Sequence, residues 1–194
     1  FAVDDKLGYL TQCPTNLGTG MRASVMLHLP ALEKSRTIGR IAGNLSKLGL
    51  TIRGAYGEGS EPSGSLYQLS NQVTLGISEK AAIENLENIT KQLVSQEQQA
   101  RERLAKSIDI QDSVSRSLGL LKSAMVMTHD EALKLLSNVR FGILSGQIKD
   151  VTADVVDSLM EKIEPATLMV NSGKNLSAQE RDIERAKILR EALS

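Results

Sequence analysis

The sequence has no tryptophan, and only 3% of its 194 residues are aromatic. Its hydrophobic core must therefore be built from aliphatic side chains, for which an apolar fraction of 41% is sufficient. The single cysteine, Cys13, excludes an internal disulfide and indicates a reducing compartment. Positive and negative charges balance at 23 Lys plus Arg against 23 Asp plus Glu, which argues against the basic surface of a nucleic-acid-binding protein.

The sequence also lacks long apolar runs. None approaches the roughly 20 residues that a membrane-spanning helix requires, so we expect no membrane segment. The first residues, FAVDDKLGYLTQC, have neither the basic start nor the apolar stretch of a signal sequence. Because the chain begins at Phe1 without a start segment, we expect it to be part of a longer protein.

Residues 1–75 and 76–194 differ in their patterns, which predicts two adjoining units. In the first unit, short alternating or β-branched segments predict strands over residues 8–13, 22–29, 50–54 and 66–69. Between the second and third of these, an apolar stripe predicts a helix over residues 36–48. Gly49 stands where the C-terminal cap of that helix belongs.

The second predicted strand has a polar face. Its alternation puts one set of side chains together, those of Arg22, Ser24, Met26 and His28, and Pro30 ends the strand. Glycine-rich turns are predicted near this sheet, at residues 16–20 and 57–64. A polar sheet face beside glycine-rich loops is typical of a ligand-binding floor.

Helices are predicted from Ser78 onward. The first is a long amphipathic helix running past Arg103, and residues 155–163 carry another apolar stripe. Two capping boxes predict further helix starts, at Thr128 with Glu131 and at Ser177 with Glu180. Met125 and Met127, which precede the first of these boxes, are predicted to be core residues.

The stretch CPTNLGTG, residues 13–20, places a thiol beside a turn with free backbone amides. An adjacent electropositive or anion-binding group lowers the pKa of such a thiol, and the resulting thiolate pairs with a cationic guanidinium. A lone cysteine at a strand end is also consistent with a small buried apolar side chain. Spacing alone leaves both interpretations open.

CPTNLGTG, followed directly by MRASV, resembles the signature of the phosphagen (ATP:guanidino) kinases, the family of creatine and arginine kinases. A second block, RGAYGEGSE at residues 53–61 running to YQLSN at 67–71, resembles the family's substrate-covering loop and the strand after it. The stretches GEGSE and RASVMLHLPAL and the C-terminal segment are similar to the bacterial protein-arginine kinase branch. The resemblance covers essentially the whole chain, but only the C-terminal half or so of the family's length.

The resemblance implies a site for ATP with Mg²⁺. Arg22 and Arg53 match arginines that clamp the nucleotide phosphates, a task that suits their planar, permanently charged forks. Met26 stands where the small-molecule kinases carry a histidine near the base. Mg²⁺ is expected to come with ATP, held by phosphates and water rather than by protein ligands. The implied ATP-binding residues are Arg22, Ala23, Ser24, Val25, Met26, Arg53, Gly54, Ala55, Tyr56, Gly57 and Glu58.

The same resemblance implies the catalytic residues. Cys13 matches the thiol that faces the guanidinium, and Glu58 matches a loop carboxylate that orients the guanidinium and helps to take its proton. Without the motif, each residue has a plainer interpretation: Arg22 as a solubilising strand-edge residue, Arg53 as an ion-pair partner, and Glu58 as one of several loop acids. The two histidines are predicted to be structural.

The segment RDIERA occupies residues 181–186, just inside the last predicted helix. Arg181 and Arg185 are four residues apart, on one face near a helix N-terminus, where the dipole favours anions. Spacing alone is equally consistent with a solvated face on which Asp182 pairs with Arg185. The protein-arginine kinases carry RDxxRA here, which implies an allosteric phosphoarginine site formed by Arg181, Asp182, Arg185 and Ala186.

These features predict an α+β fold, with an antiparallel sheet portion of a guanidino-kinase catalytic domain in residues 1–75 and a helical unit in 76–194. The implied function is transfer of the ATP γ-phosphate to arginine side chains of proteins, which marks them for Clp-type proteolysis. The implied partners are a stress-regulon repressor as substrate, an activator protein and a Clp-type protease. The enzyme is expected to be a cytoplasmic homodimer or larger.

Two alternatives remain beside this function. The family's first catalytic carboxylate and its other phosphate-binding arginines lie upstream of Phe1, so the chain alone is also consistent with a non-catalytic phosphoarginine-binding and dimerisation module. A small-metabolite guanidino kinase is the weaker alternative, because the helical C-terminal segment and RDIERA argue against it.

Overall fold

The computed structural model describes residues 1–55 and 62–194. It has the expected α+β composition, with antiparallel strands in the N-terminal part and helices throughout the C-terminal part. The chain forms two units, one comprising Phe1–Pro62 with Leu66–Gln99 and the other Ser63–Ser65 with Ala100–Ser194. The predicted division of the chain into units 1–75 and 76–194 lies where the strand-like sequence pattern ends. That division stays a prediction.

The first unit begins with a short hairpin. β1 (Val3–Asp4) pairs antiparallel with β2 (Gly8–Tyr9). The strand predicted over residues 8–13 is therefore wrong beyond residue 9. The chain instead continues into a short 3₁₀ helix (Pro14–Asn16), because Pro14 fixes its own φ and has no N–H for a sheet ladder.

The main sheet has the strand order β3–β5–β4, and both pairings are antiparallel. Its strands confirm three of the predicted segments, with bounds β3 (Ser24–His28), β4 (Leu50–Gly54) and β5 (Leu66–Asn71). Successive side chains alternate between the two faces of a strand. One face buries Leu27, Leu50 and Leu69, and the other carries the predicted polar row.

Two helices separate β3 from β4. α1 (Pro30–Lys34) begins at Pro30, which ends the strand as predicted and suits a first helical turn, where no N–H is needed. α2 (Ile38–Lys47) is the helix predicted over residues 36–48. It begins two residues late because Arg36 has a left-handed φ of 55°. Gly49, with a φ of 70°, follows its end as predicted.

α3 (Glu79–Leu104) is the long amphipathic helix expected from the sequence. Its Glu97 is buried, with 4% of its surface exposed. The Glu97 carboxylate accepts hydrogen bonds from the backbone N–H groups of Ala31 at 2.8 Å and Leu32 at 2.9 Å. A carboxylate from α3 therefore caps the N-terminus of α1, where the helix dipole favours a negative charge.

The second unit is helical, with bounds α4 (Ile108–Ser123), α5 (His129–Leu144), α6 (Ala153–Lys162), α7 (Pro165–Ser172) and α8 (Ala178–Leu193). The helix starts predicted near residues 128 and 177 are confirmed. The Thr128 hydroxyl accepts from the N–H of Glu131, and Ser177 and Glu180 form both halves of a capping box. The sequence patterns predicted neither α4 nor α7.

The core of the second unit gathers around α5. Met127 is buried in it, as predicted, but Met125 is 70% exposed, so its assignment to the core is wrong. Met127 is fixed against α8, because its N–H donates to the carbonyl of Asp182 at 3.1 Å and its own carbonyl accepts from Nη1 of Arg185, whereas Met125 precedes these contacts. The stripe predicted over residues 155–163 is buried from Val156 onward, whereas Val155 is 39% exposed.

Gly142 of α5 lies against α4, and a Cβ added there would stand 2.4 Å from Cγ1 of the buried Val114. We expect Gly142→Ala to lower the free energy of unfolding by about 1–3 kcal/mol, because overpacking outweighs the better helix propensity of alanine. A Cβ added at Gly119 of α4 meets nothing within 4 Å among the described residues. Gly119→Ala is expected to raise the same free energy by about 0.5–1 kcal/mol.

Urea unfolding followed by far-ultraviolet circular dichroism measures both variants. The contrast between the two glycines is the test, since both substitutions are chemically identical and both sites lie in helices of one unit. Equal effects of the two substitutions would contradict the close approach of α4 and α5.

Candidate functional site

Two arginines stand on the open face of the main sheet. Arg53 of β4 lies directly opposite Gln68 of β5, which lies opposite Met26 of β3. Arg22 precedes β3 by two residues, and its Nε and Nη2 donate to Oγ of Ser70 at 3.3 and 3.0 Å. Side chains two residues apart on a strand share a face, so Gln68 and Ser70 align both arginines on one side of the sheet. We call this side the arginine face.

The pleat of β3 divides the first predicted nucleotide-binding block. Ser24 and Met26 are exposed on the arginine face, and Nε2 of Gln68 donates to Oγ of Ser24 at 3.1 Å. Ala23 and Val25 alternate with them and point to the opposite face. Only the backbone atoms of Ala23 and Val25 are therefore available to a ligand on the arginine face.

The second predicted block is described only in part. Arg53 and the buried Gly54 end β4, and the N–H of Ala55 extends the pairing by donating to the carbonyl of Leu66 at 3.1 Å. The remaining predicted residues, Tyr56, Gly57 and Glu58, lie outside the described residues. The role of Glu58 as the loop carboxylate therefore stays a prediction.

Cys13 stands exposed at the start of the 3₁₀ helix rather than at a strand end. Its Sγ lies 2.9 Å from Oγ1 of Thr15. The Thr15 hydroxyl, and secondarily the Thr15 backbone N–H, lower the pKa of the Cys13 thiol below its ordinary value. This arrangement favours the thiolate that the guanidinium hypothesis requires. Thr15 is not among the site residues predicted from the sequence, although a hydroxyl two residues after a cysteine at a helix start indicates a hydrogen bond to the thiol.

The turn that follows Cys13 packs closely against the segment that leaves β5. Gly18 has a φ of 101°, and a Cβ there would stand 2.1 Å from the carbonyl oxygen of Thr74. The N–H of Thr19 donates to that same carbonyl at 3.0 Å. Glycine is therefore required at position 18 both by its backbone conformation and by lack of space.

The RDIERA segment begins in the first turn of α8. Arg185 is 1% exposed, and its Nε donates to the carbonyl of Ile163 at 3.1 Å. Its Nη1 donates to the carbonyl of Met127 at 2.8 Å and to Oδ1 of Asp182 at 2.5 Å. The Asp182–Arg185 ion pair, which spacing alone left open, is thus present. Arg185 joins α8 to the end of α6 and to the linker before α5.

The other residues of this segment have different surroundings. Arg181 is partly exposed, and its Nη1 donates to the carbonyl of Leu176 at 2.8 Å. The Asp182 side chain keeps 26% of its surface exposed, whereas Ala186 is buried in the core. Arg181 and Asp182 are therefore accessible to a ligand, whereas the Arg185 guanidinium is buried and hydrogen-bonded within the protein. The predicted phosphoarginine site stays a prediction.

Two further properties concern the described residues as a whole. Within residues 1–55 and 62–194, no three His, Cys, Asp or Glu side chains are grouped so that they could hold a metal ion. In the same ranges, every helix is too short or too polar to cross a membrane.

Comparison with known proteins gives two matching family models. Residues 1–100 match the ATP:guanido phosphotransferase, C-terminal catalytic domain, and residues 107–194 match the Protein-arginine kinase McsB C-terminal domain. The Protein-arginine kinase of Halothermothrix orenii is 52% identical over 196 residues, covering all of this chain and 56% of that protein. Those of Clostridium acetobutylicum and a Geobacillus species are 48% and 49% identical, again over the whole chain and over 57% and 54% of their own lengths. The chain spans somewhat more than half the length of these curated relatives.

We expect Thr15→Val to raise the pKa of the Cys13 thiol toward its ordinary value, because the hydroxyl that stabilises the thiolate is lost. The thiolate fraction at neutral pH then falls. The measurement is the rate of iodoacetamide alkylation as a function of pH, whose midpoint should move upward. Thr15→Ser keeps the hydroxyl and should restore the original midpoint. An unchanged midpoint in Thr15→Val would exclude the contact as the cause.

Proposed function

Because the chain belongs to the ATP:guanido phosphotransferase family, we propose that it forms part of an enzyme that transfers the γ-phosphate of ATP to arginine side chains of proteins. The observation that carries this proposal is the arginine face, the one side of the main sheet to which both Arg22 and Arg53 belong. The name Protein-arginine kinase, carried by relatives at about half identity, supports proteins as the phosphate acceptors.

The arginine face suits the charge of a triphosphate. Phosphoryl transfer requires positioning and charge neutralisation more than covalent chemistry from the protein. Guanidinium groups stay charged and can grip phosphate oxygens with two hydrogen bonds. We propose that Arg22 and Arg53 hold the phosphates, with Ser24 and Met26 beside them. Mg²⁺, bound to the phosphates and water, supplies further neutralisation of their charge.

The acceptor guanidinium is assigned to the Cys13 side of the site. A thiolate at Cys13 offers a negative charge to the incoming arginine, and the Thr15 contact supports that ionisation state. The protonated guanidinium must lose a proton when its nitrogen attacks phosphorus, so a carboxylate is needed nearby. We propose Glu58 for that role.

The wider setting of the enzyme is proposed from the resemblance of the sequence. Its substrates include a stress-regulon repressor, its activity depends on an activator protein, and its products are recognised by a Clp-type protease. We propose a homodimer in the cytoplasm.

A second candidate function concerns α8. We propose that Arg181, Asp182 and Arg185 bind phosphoarginine, with Ala186 beside them, and so regulate the enzyme. The Asp182–Arg185 ion pair supports a specific exchange of partners. In this exchange the guanidinium of the ligand pairs with the Asp182 carboxylate. The phosphate of the ligand pairs with Arg181 and with Arg185, which has given up its ion pair with Asp182. Each buried or half-buried charge thereby keeps a partner, which avoids the large penalty of an unpaired one.

We expect Arg22→Ala and Arg53→Ala each to weaken binding of Mg·ATP by about tenfold to a hundredfold, because each removes charge-assisted hydrogen bonds worth about 1.5–3 kcal/mol. Isothermal titration calorimetry measures the affinities. Arg40→Ala is the matched control, since Arg40 is exposed on α2, and its effect should stay within about twofold. Wild-type affinity in both test variants would overturn the nucleotide assignment.

Transfer itself is tested with ATP and three acceptors, an arginine-containing protein, free arginine and creatine, using this chain and the full-length protein in parallel. We expect phosphoarginine in the protein acceptor, identified by mass spectrometry. Transfer to free arginine or creatine alone would favour the small-metabolite kinase. A folded chain that binds phosphoarginine but transfers nothing would favour the binding module for this chain.

Phosphoarginine binding is tested by titrating the free amino acid into the chain. We expect Arg181→Ala and Asp182→Asn each to weaken binding by about tenfold or more, because each removes a charged partner of the ligand. Lys187→Ala, at an exposed position of the same helix, is the control. Binding that survives in the double variant Arg181→Ala, Asp182→Asn would place the site elsewhere.

A further inference from the structure

We infer that Asn71 and Thr74, two buried polar residues at and after the end of β5, are positioning residues that hold Arg22 and the Cys13 turn in place. The inference rests on the proposed function, in which Arg22 binds phosphate and Cys13 faces the acceptor guanidinium. Asn71 is 5% exposed and Thr74 is 7% exposed, so their polar atoms must find partners within the protein.

Asn71 clamps the residues on both sides of Arg22. Its Oδ1 accepts from the N–H of Ala23 at 2.7 Å, and its Nδ2 donates to the carbonyl of Met21 at 3.0 Å. The backbone N–H of Asn71 also donates to the carbonyl of Ala23 at 3.3 Å. These bonds continue the β3–β5 pairing beyond Ser24, where the regular strand ends. The Cα of Arg22 is thereby fixed, and its guanidinium reaches Ser70.

Thr74 performs the corresponding task for the turn after Cys13. Its hydroxyl donates to the carbonyl of Leu17 at 2.6 Å and lies 3.2 Å from that of Thr15. Its own carbonyl accepts from the N–H of Thr19 at 3.0 Å. Thr74 therefore bonds the turn through both its hydroxyl and its carbonyl. These bonds hold Thr15 where its side chain contacts the thiol of Cys13.

The two clamps belong to one short segment. Nδ2 of Asn71 also donates to the carbonyl of Val73 at 3.1 Å, which ties the segment to itself. Gln72 and Val73 between them are exposed, so the inward-facing groups are those of Asn71 and Thr74. Because both clamps are built on four consecutive residues, the phosphate arginine and the thiol turn are held by a single piece of backbone. Neither clamp residue needs to touch a ligand.

The Thr74 clamp is tested through the thiol of Cys13, without any catalytic assay. In Thr74→Val the hydroxyl is lost at nearly constant volume. We expect the iodoacetamide rate at neutral pH to fall about threefold or more, since the loosened turn no longer supports the thiolate. Thr74→Ser should restore the wild-type profile, and Gln72→Ala should leave it unchanged. A wild-type profile in Thr74→Val would overturn the assignment.

The Asn71 clamp is tested through the affinity for Mg·ATP. We expect Asn71→Ala to weaken binding by about tenfold, while Gln72→Ala changes it by less than about twofold. The double variant Arg22→Ala, Asn71→Ala should bind no more weakly than Arg22→Ala alone, because Asn71 acts through Arg22. Additive losses would overturn the assignment. If Asn71→Ala does not fold, Asn71→Ser replaces it in the same comparison of single and double variants. The serine side chain is too short to bond both Met21 and Ala23.

Failure of the proposed function gives a different result from failure of the clamps. A folded wild-type chain that binds no nucleotide would contradict the phosphate role of Arg22. The thiol profiles would still decide for or against Thr74. Hydrogen exchange at the N–H of Ala23, expected to accelerate at least tenfold in Asn71→Ala, would still decide for or against Asn71.

Discussion

The antiparallel pairing of β5 with both of its neighbours is the constraint on which the candidate site depends. β5 is the central strand, and its alternation puts Leu69 into the core and Gln68 and Ser70 beneath the arginines. A shift of either pairing by one residue would exchange the faces of the shifted strand, burying an arginine side chain and exposing a core residue such as Leu27 or Leu50. The apolar face therefore enforces the register that the polar face needs, and packing and chemistry share one set of backbone hydrogen bonds.

Local signals carried most of the fold prediction. The α2 stripe, its Gly49 end and the β4 segment all depend on neighbours within a few residues, so periodicity and turn chemistry suffice for them. The missed helix α1 has a different origin. It is five residues long, and its N-terminal N–H groups are satisfied by Glu97, which lies 65 residues further along the chain. No local pattern can indicate a cap that arrives from another helix.

The site could be predicted only as far as motifs extend. The strand that follows Arg22 and the strand that contains Arg53 are predicted from residue identity and alternation, and the structure brings both arginines to one face. The burial of Arg185 could not be predicted in this way. Spacing places it on the same face as Arg181, but the carbonyls that receive it belong to Met127 and Ile163, on segments distant in sequence. Charged residues of this kind are usually exposed, and only tertiary partners reverse that expectation.

The contact between Gly18 and the carbonyl oxygen of Thr74 has a consequence for genetics. The obstacle to a larger residue at position 18 is main chain, and main chain is the same whatever amino acid occupies position 74. Second-site suppressors of a Gly18 substitution should therefore not arise as side-chain exchanges at position 74. They should arise where a change lets the backbone itself recede, in the residues that follow β5, and they should restore only part of the lost stability, because the φ of 101° at position 18 still disfavours any side chain. A signature motif can thus require a glycine because the segment that follows a neighbouring strand packs against it, rather than because a ligand does.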